Sequence, residues 1–255
     1  MNLEMLNLLD KFYALIWPLL RITAFLAFAS IFSIRAVNLR IRMVLSLAFA
    51  FFISMQIDIP VIDPLTGPGL AEIFNQVFIG FAMGMIMQIA TAGVVVAGQV
   101  VSGSMGLTMA TLIDPNVGNV PVISGLFNVL GTLLFLAMGG HLIVFGILLD
   151  SFTVFPIGKN LMSQDVYGKM LAWSAMMFLA SVLIALPVLM TLLFVNVGLG
   201  FVTRAAPSLN IFSVGFSAML MAGFVILWLA LPSTVGRMNW LWVQTYAQMR
   251  ALFLG

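Results

Sequence analysis

IFNQVFIGFAMGMIMQIATAGVVVAGQVVSGSMGLTMATLI, residues 73–113, contains no Asp, Glu, Lys or Arg. A hydrocarbon core about 30 Å thick is crossed by about 20 apolar residues, so this stretch is longer than one simple span needs. The runs 43–57, 115–149, 170–203 and 205–236 are equally free of charge, and 12–34 is apolar apart from Arg21. Together they predict helices near 12–34, 41–57, 70–101, 121–149, 168–203 and 210–231. The reading is an all-α membrane protein of about six hydrophobic helices arranged as hairpins. It is treated as one membrane domain over 1–255, with no soluble domain.

Composition points the same way. Hydrophobic residues make up 63% of the chain and charged ones 7%, with a mean hydropathy of +1.19. Soluble domains average about 45–50% apolar and about 25% charged residues. Ten basic and eight acidic residues leave a formal charge of +2 with no basic cluster, which excludes a nucleic-acid footprint. The absence of cysteine excludes disulfides, thiolate metal sites and cysteine nucleophiles. Glu4, Asp10 and Lys11 at the start, followed by a stretch long enough to span, do not resemble a cleaved signal peptide. Arg35, Arg40 and Arg42 place the first loop in the cytoplasm by the positive-inside rule, and the acidic second loop (Asp58, Asp63, Glu72) opposite. Strict alternation then puts Arg237 and Arg250 outside, in conflict with the same rule. In 232–255, Trp240, Trp242, Tyr246 and Phe253 among Gln and Arg predict an amphipathic segment at the headgroup level.

Enzyme signatures are missing: there is no phosphate-cradling loop, paired-His helix or nucleophile elbow. The chain is read as a non-enzyme that needs no cofactor and no metal. Two ionisable groups lie inside spans. Arg21 costs about 2.5–3.5 kcal/mol at the bilayer centre and must face a partner, a cavity or an interface. His141, in Met138-Gly139-Gly140-His141, is either a proton relay or an interhelical hydrogen-bonding group. Gln88, Gln99, Asn128 and Asn196 read as interhelical glue. With no carboxylate at the centre of a span, an ion-driven transporter is disfavoured, though a small-molecule or ion transporter is the alternative class and an intramembrane enzyme a third. Gly80-x-x-x-Gly84 is a weak close-packing signature among 22 glycines.

Two local patterns stand out. In 98–115, Gly98, Gly103 and Gly106 punctuate an apolar stretch that ends at Asp114-Pro115. An apolar loop over 102–119 must be buried in protein or line a cavity, because lipid leaves its backbone unsatisfied. Met105 and Met109 supply flexible thioethers suited to a deformable seal, and Ile113 completes the apolar set. In GLGFVTRAAPSLNIFSVGF, 198–216, glycines end a helix, Arg204 marks a membrane face, Pro207 sets a turn and Asn210 can cap the next helix.

This second stretch resembles the signature of the FliR family, the flagellar branch of the type III secretion export-gate proteins. Its pattern is a Gly-rich helix end, then R-x-x-P-x-x-N-x-F and Gly-Phe, present here as Arg204, Pro207, Asn210, Phe212, Gly215 and Phe216. Met105-Gly106-Leu107 and Asp114-Pro115 are similar to a second family stretch, with Met109 where Phe is common, and Ser151-Phe152 with Pro156 to a third. The resemblance implies a subunit of a hetero-oligomeric gate in the bacterial inner membrane, at the flagellar basal body, with FliP, FliQ and FlhB as partners. Unfolded flagellar proteins would be the cargo, with membrane lipids around it. It also assigns 98–119 the task of a pore plug, with Gly103, Met105, Gly106, Met109, Ile113, Asp114 and Pro115 as its residues. Arg204, Pro207, Asn210, Phe212 and Gly215 would form a corner that contacts partners.

Overall fold

The chain is described by a computed structural model over residues 3–33, 38–107, 122–159, 164–205 and 215–253. Seven α-helices and no strand occur among the described residues: α1 Leu3–Phe28, α2 Leu39–Gln56, α3 Gly67–Ser104, α4 Val122–Ala137, α5 Gly140–Val154, α6 Gln164–Ala205 and α7 Phe216–Phe253, with a 3₁₀ turn at Ser30–Ser33 after α1. Five are long and apolar enough to cross a membrane, and α4 with α5 could supply a sixth span. The protein is a multi-pass helical membrane protein.

Several boundaries differ from the hydropathy reading: α1 runs Leu3–Phe28 instead of the expected 12–34, the last helix starts at Phe216 instead of the expected 210, and three further differences have a local reason. The helix expected over 121–149 breaks before Gly140, where Gly139 takes φ +67°, the left-handed region that glycine enters without a Cβ penalty. The helix expected to stop at 203 runs through Gly198 and Gly200 to Ala205. The last helix passes Pro232 and continues to Phe253 instead of ending at 231. Membrane helices tolerate an internal proline because nearby groups re-satisfy the freed backbone. Beyond Pro232, Met238, Leu241, Trp242, Thr245, Met249 and Leu252 are buried at three-to-four-residue spacing. These side chains of the C-terminal part of α7 turn into protein. The entry to α3 is built from turn chemistry: Asp63 Oδ1 accepts the Leu65 N–H at 2.9 Å, and Thr66 Oγ1 accepts the Gly69 N–H at 3.3 Å as an N-cap.

The contacts divide the chain into two compact units. Unit 1 comprises Met1–Ile89, Gly139–Ser174 and Gln244–Gly255; unit 2 comprises Ala90–Met138 and Ala175–Val243. In unit 1, α3 lies directly on α1. A Cβ on Gly80 would stand 2.1 Å from the Arg21 carbonyl oxygen, and one on Gly84 would stand 2.7 Å from Phe28 Cβ. Both glycines of the Gly-x-x-x-Gly pair thus face the neighbouring helix and permit its backbone to approach. Phe145 stacks on Phe49 at 4.7 Å and touches Phe32 and Phe25, joining α1, α2 and α5. In unit 2, Gly98 meets the Ser124 backbone, where a Cβ would lie 2.4 Å from Ser124 Cα, and Gly93 abuts Ala180 and Met177. Trp242 donates its indole N–H to the Gly131 carbonyl at 3.1 Å and packs its ring 5.1 Å from Phe135.

Candidate functional site

Arg21 is completely buried on α1. Its cost is offset by a set of acceptors drawn from distant parts of unit 1. Nε donates to Gln76 Oε1 at 2.7 Å, and Nη1 donates to the Ser151 carbonyl at 2.9 Å and to Ser151 Oγ at 3.1 Å. Nη2 donates to the Phe155 carbonyl at 2.7 Å. Those two carbonyls lie at the C-terminal end of α5, where the negative end of the helix dipole favours a cation, and the Ser151 carbonyl accepts the Phe155 N–H as well. The Ser151 hydroxyl donates in turn to the Leu148 carbonyl at 2.6 Å, which leaves its lone pairs free for Arg21. The Phe152 ring lies 4.0 Å from the guanidinium carbon, a cation–π contact.

The polar chain continues beyond the cation. Gln76 turns its amide nitrogen to Glu72 Oε1 at 2.5 Å, one turn earlier on α3, and the same oxygen accepts the Gly158 N–H at 3.1 Å. Glu72 is itself buried, at 8% exposure. Gly158 has φ +82°, and a Cβ there would strike Ile62 Cδ1 at 2.9 Å, so glycine alone fits this turn without strain. Phe152 also lines a cavity of about 270 Å³ with Ile53, Ile57, Pro60, Pro156 and Ile157, with Asp58 and Lys159 on its wall. The arrangement fixes backbone; it presents no paired acid and base. Among the described residues no cluster of three or more His, Cys, Asp or Glu could hold a metal ion.

The other sequence candidates fall in different places. In unit 2, α3 ends at Ser104, and Gly106 takes φ +81° in the turn that follows. Met105 is fully buried there, its side chain filling the space beside Gly223, where a Cβ would lie 2.7 Å from Met105 Cε and Cγ. Gly103 is exposed, with nothing near its Cα face. Met109, Ile113, Asp114 and Pro115 lie outside the described residues, as do Pro207, Asn210 and Phe212. Arg204 is exposed in the last turn of α6, and Gly215 is half-buried just before α7. His141, half-buried near the start of α5, buries an Nδ1 that has no hydrogen-bond partner among the described residues.

Sequence reading found Arg21 but not its partners. Glu72 reads as one more acid in a loop, yet it sits in the second turn of α3 and faces inward. Its signal was the four-residue spacing to Gln76, which puts both on one helix face. The interhelical glue expected from Gln88, Gln99, Asn128 and Asn196 is placed differently: all four are exposed on this chain's surface. Gln76, Asn75 and Ser151 are among the polar side chains that are buried instead.

Against known proteins, a sequence model of bacterial export proteins, family 1, matches residues 12–245. The flagellar biosynthetic protein FliR of Pectobacterium carotovorum subsp. carotovorum is 33% identical over 90% of this chain and 87% of its own. That of Escherichia coli (strain K12) is 34% identical over 85% and 83% respectively. That of Aquifex aeolicus (strain VF5) is 32% identical over 75% of each chain.

Proposed function

The chain belongs to the bacterial export proteins, family 1, and serves flagellar protein export; we propose that within that apparatus it is a subunit of the type III export gate. It forms part of the channel by which unfolded flagellar proteins cross the bacterial inner membrane, at the flagellar basal body, beside FliP-like and FliQ-like subunits and with an FlhB-like protein attached. One observation carries this reading beyond the family: Gln99 and Asn196 are exposed on long apolar helices, and Asn128 is exposed on the shorter apolar α4. Lipid cannot satisfy an amide, whereas a neighbouring subunit can. The exposed apolar surface of α6, including Phe178, Leu186, Phe194 and Phe201, then belongs to the same neighbours.

In this proposal 98–119 is the plug of the resting channel, held at its base by Met105 against Gly223 and closed at its tip by Met109 and Ile113. Gating by an apolar constriction needs no charge, and Gly103 and Gly106 give the backbone its bend. Arg204, Pro207, Asn210, Phe212 and Gly215 form the corner before α7 and meet a partner. A small-molecule transporter finds less support, since the polar group around Arg21 is sealed and its donors are already committed. The test is deletion of 105–113 in a flagellated strain. Normal complex yield with a membrane leaky to ions is expected. Normal yield without a leak contradicts the plug, and loss of the complex means that the segment only packs between helices.

A further inference from the structure

Arg21, Gln76 and Glu72 are all buried, and they form one continuous polar chain that ends on the turn at 155–159. Both ends of that turn are tied to it. Phe155 gives its carbonyl to Arg21 Nη2 at 2.7 Å, and Gly158 gives its N–H to Glu72 Oε1 at 3.1 Å. Between them Ile157 is buried at 5% exposure. The turn in turn covers the segment after α2, since Gly158 lies against Pro60 and Ile62. The ties are polar and few, and the surrounding wall is mostly apolar, with Asp58 and Lys159 on it. The turn is therefore held at two separate points, the Phe155 carbonyl by Arg21 and the Gly158 N–H by Glu72. A buried network of this kind is either complete or costly.

We propose that Arg21, Gln76 and Glu72 are a positioning latch that seats the 155–159 turn, and that export depends on the seated state. The export half rests on the function proposed above; the latch half does not. Glu72 is the point at which the Gly158 end of the turn is released alone, because Arg21 keeps its bonds to Gln76, Ser151 and the Phe155 carbonyl when Glu72 is lost.

The chain has no cysteine of its own, so single thiols report on chosen sites in the full-length protein within the assembled complex. Ile157→Cys reports on the turn, and Ala185→Cys, completely buried in unit 2, reports on the fold elsewhere. With native Glu72 both thiols are protected from a maleimide. Glu72→Ala is expected to raise labelling of Ile157→Cys by about tenfold or more, the change that loss of a hydrogen bond to a charged acceptor implies. Ala185→Cys should stay protected and complex yield should hold, while secretion of flagellar protein falls. Glu72→Gln keeps an oxygen toward the Gly158 N–H and should restore both protection and secretion. Continued protection of Ile157→Cys in Glu72→Ala overturns the latch, and so does equal labelling of Ala185→Cys, which marks general unfolding. Release of the turn with undiminished secretion overturns the dependence of export on it. Labelling reads the turn whatever the chain transports, so failure of the latch and failure of the export reading give different results.

Discussion

Unit 1 and unit 2 are both made of apolar helices, but they close their interiors with different chemistry. Unit 1 is organised around a guanidinium whose acceptors come from α3, α5 and the turn beyond α5. Glycines admit a neighbouring helix in both units, at Gly80 and Gly84 in unit 1 and at Gly98 on Ser124 and Gly93 on Ala180 in unit 2, but among the described residues unit 2 adds no buried cation to them. A hydrogen-bonded cation is directional, and losing one of its acceptors leaves a buried donor unsatisfied. A glycine contact has no direction and fails only when volume is added. In lipid, where apolar burial gives helices little reason to associate, these are the two available sources of specificity.

The comparison breaks most severely in unit 2. Gly98→Val would drive a side chain into the Ser124 backbone, 2.4 Å from the Cβ position. Overpacking costs about 1–3 kcal/mol where side chains can yield, and here backbone must move, so the folded chain should disappear from membranes on immunoblots. In unit 1 a further lesion is electrostatic. Gln76→Leu leaves Arg21 Nε without its acceptor and should cost about 1.5–3 kcal/mol, the range for hydrogen bonds to charged groups. Adding Arg21→Leu should recover part of that loss, because an apolar replacement of a whole buried polar pair is often neutral. Additive losses in a denaturation cycle would contradict the hub.

Smaller changes sharpen the contrast. Trp242→Phe keeps a ring beside Phe135 but removes the indole bond to Gly131, at a cost of about 1 kcal/mol for a bond within a membrane bundle. Gly103→Ala meets open space on a helix and should stabilise α3 by about 0.5–1 kcal/mol. Reduced motility despite that gain would show that the plug needs a flexible base; unchanged motility would show that Gly106 suffices.

How far the sequence could be read depended on the range of each interaction. Charge-free runs are local, so the helical membrane class was legible, and Arg21 stood out because a cation in a span is expensive. Its partners were not legible, since they lie 55, 130 and 134 positions away. Glu72 was hidden for a related reason: an acid next to a predicted loop looks solvated until a distant N–H is brought to it. Gly139-Gly140 was visible as a doublet, but hydropathy averages across it and concealed the break between α4 and α5. Pro232 misled in the opposite direction, because proline's propensity is a local rule that buried Met238, Leu241 and Trp242 override. The Arg204 corner and the plug were named from resemblance, and most of their residues lie outside the described structure.

The central claim is that this chain is a gate subunit completed by its neighbours. The direct measurement is detergent purification of the full-length chain alone and co-expressed with FliP-like and FliQ-like partners, with particle mass and thermal stability read for each. The account predicts aggregation or degradation of the lone chain, and a single stable hetero-oligomer that contains it when the partners are present. A monodisperse, thermally stable monomer that ignores the partners would contradict it.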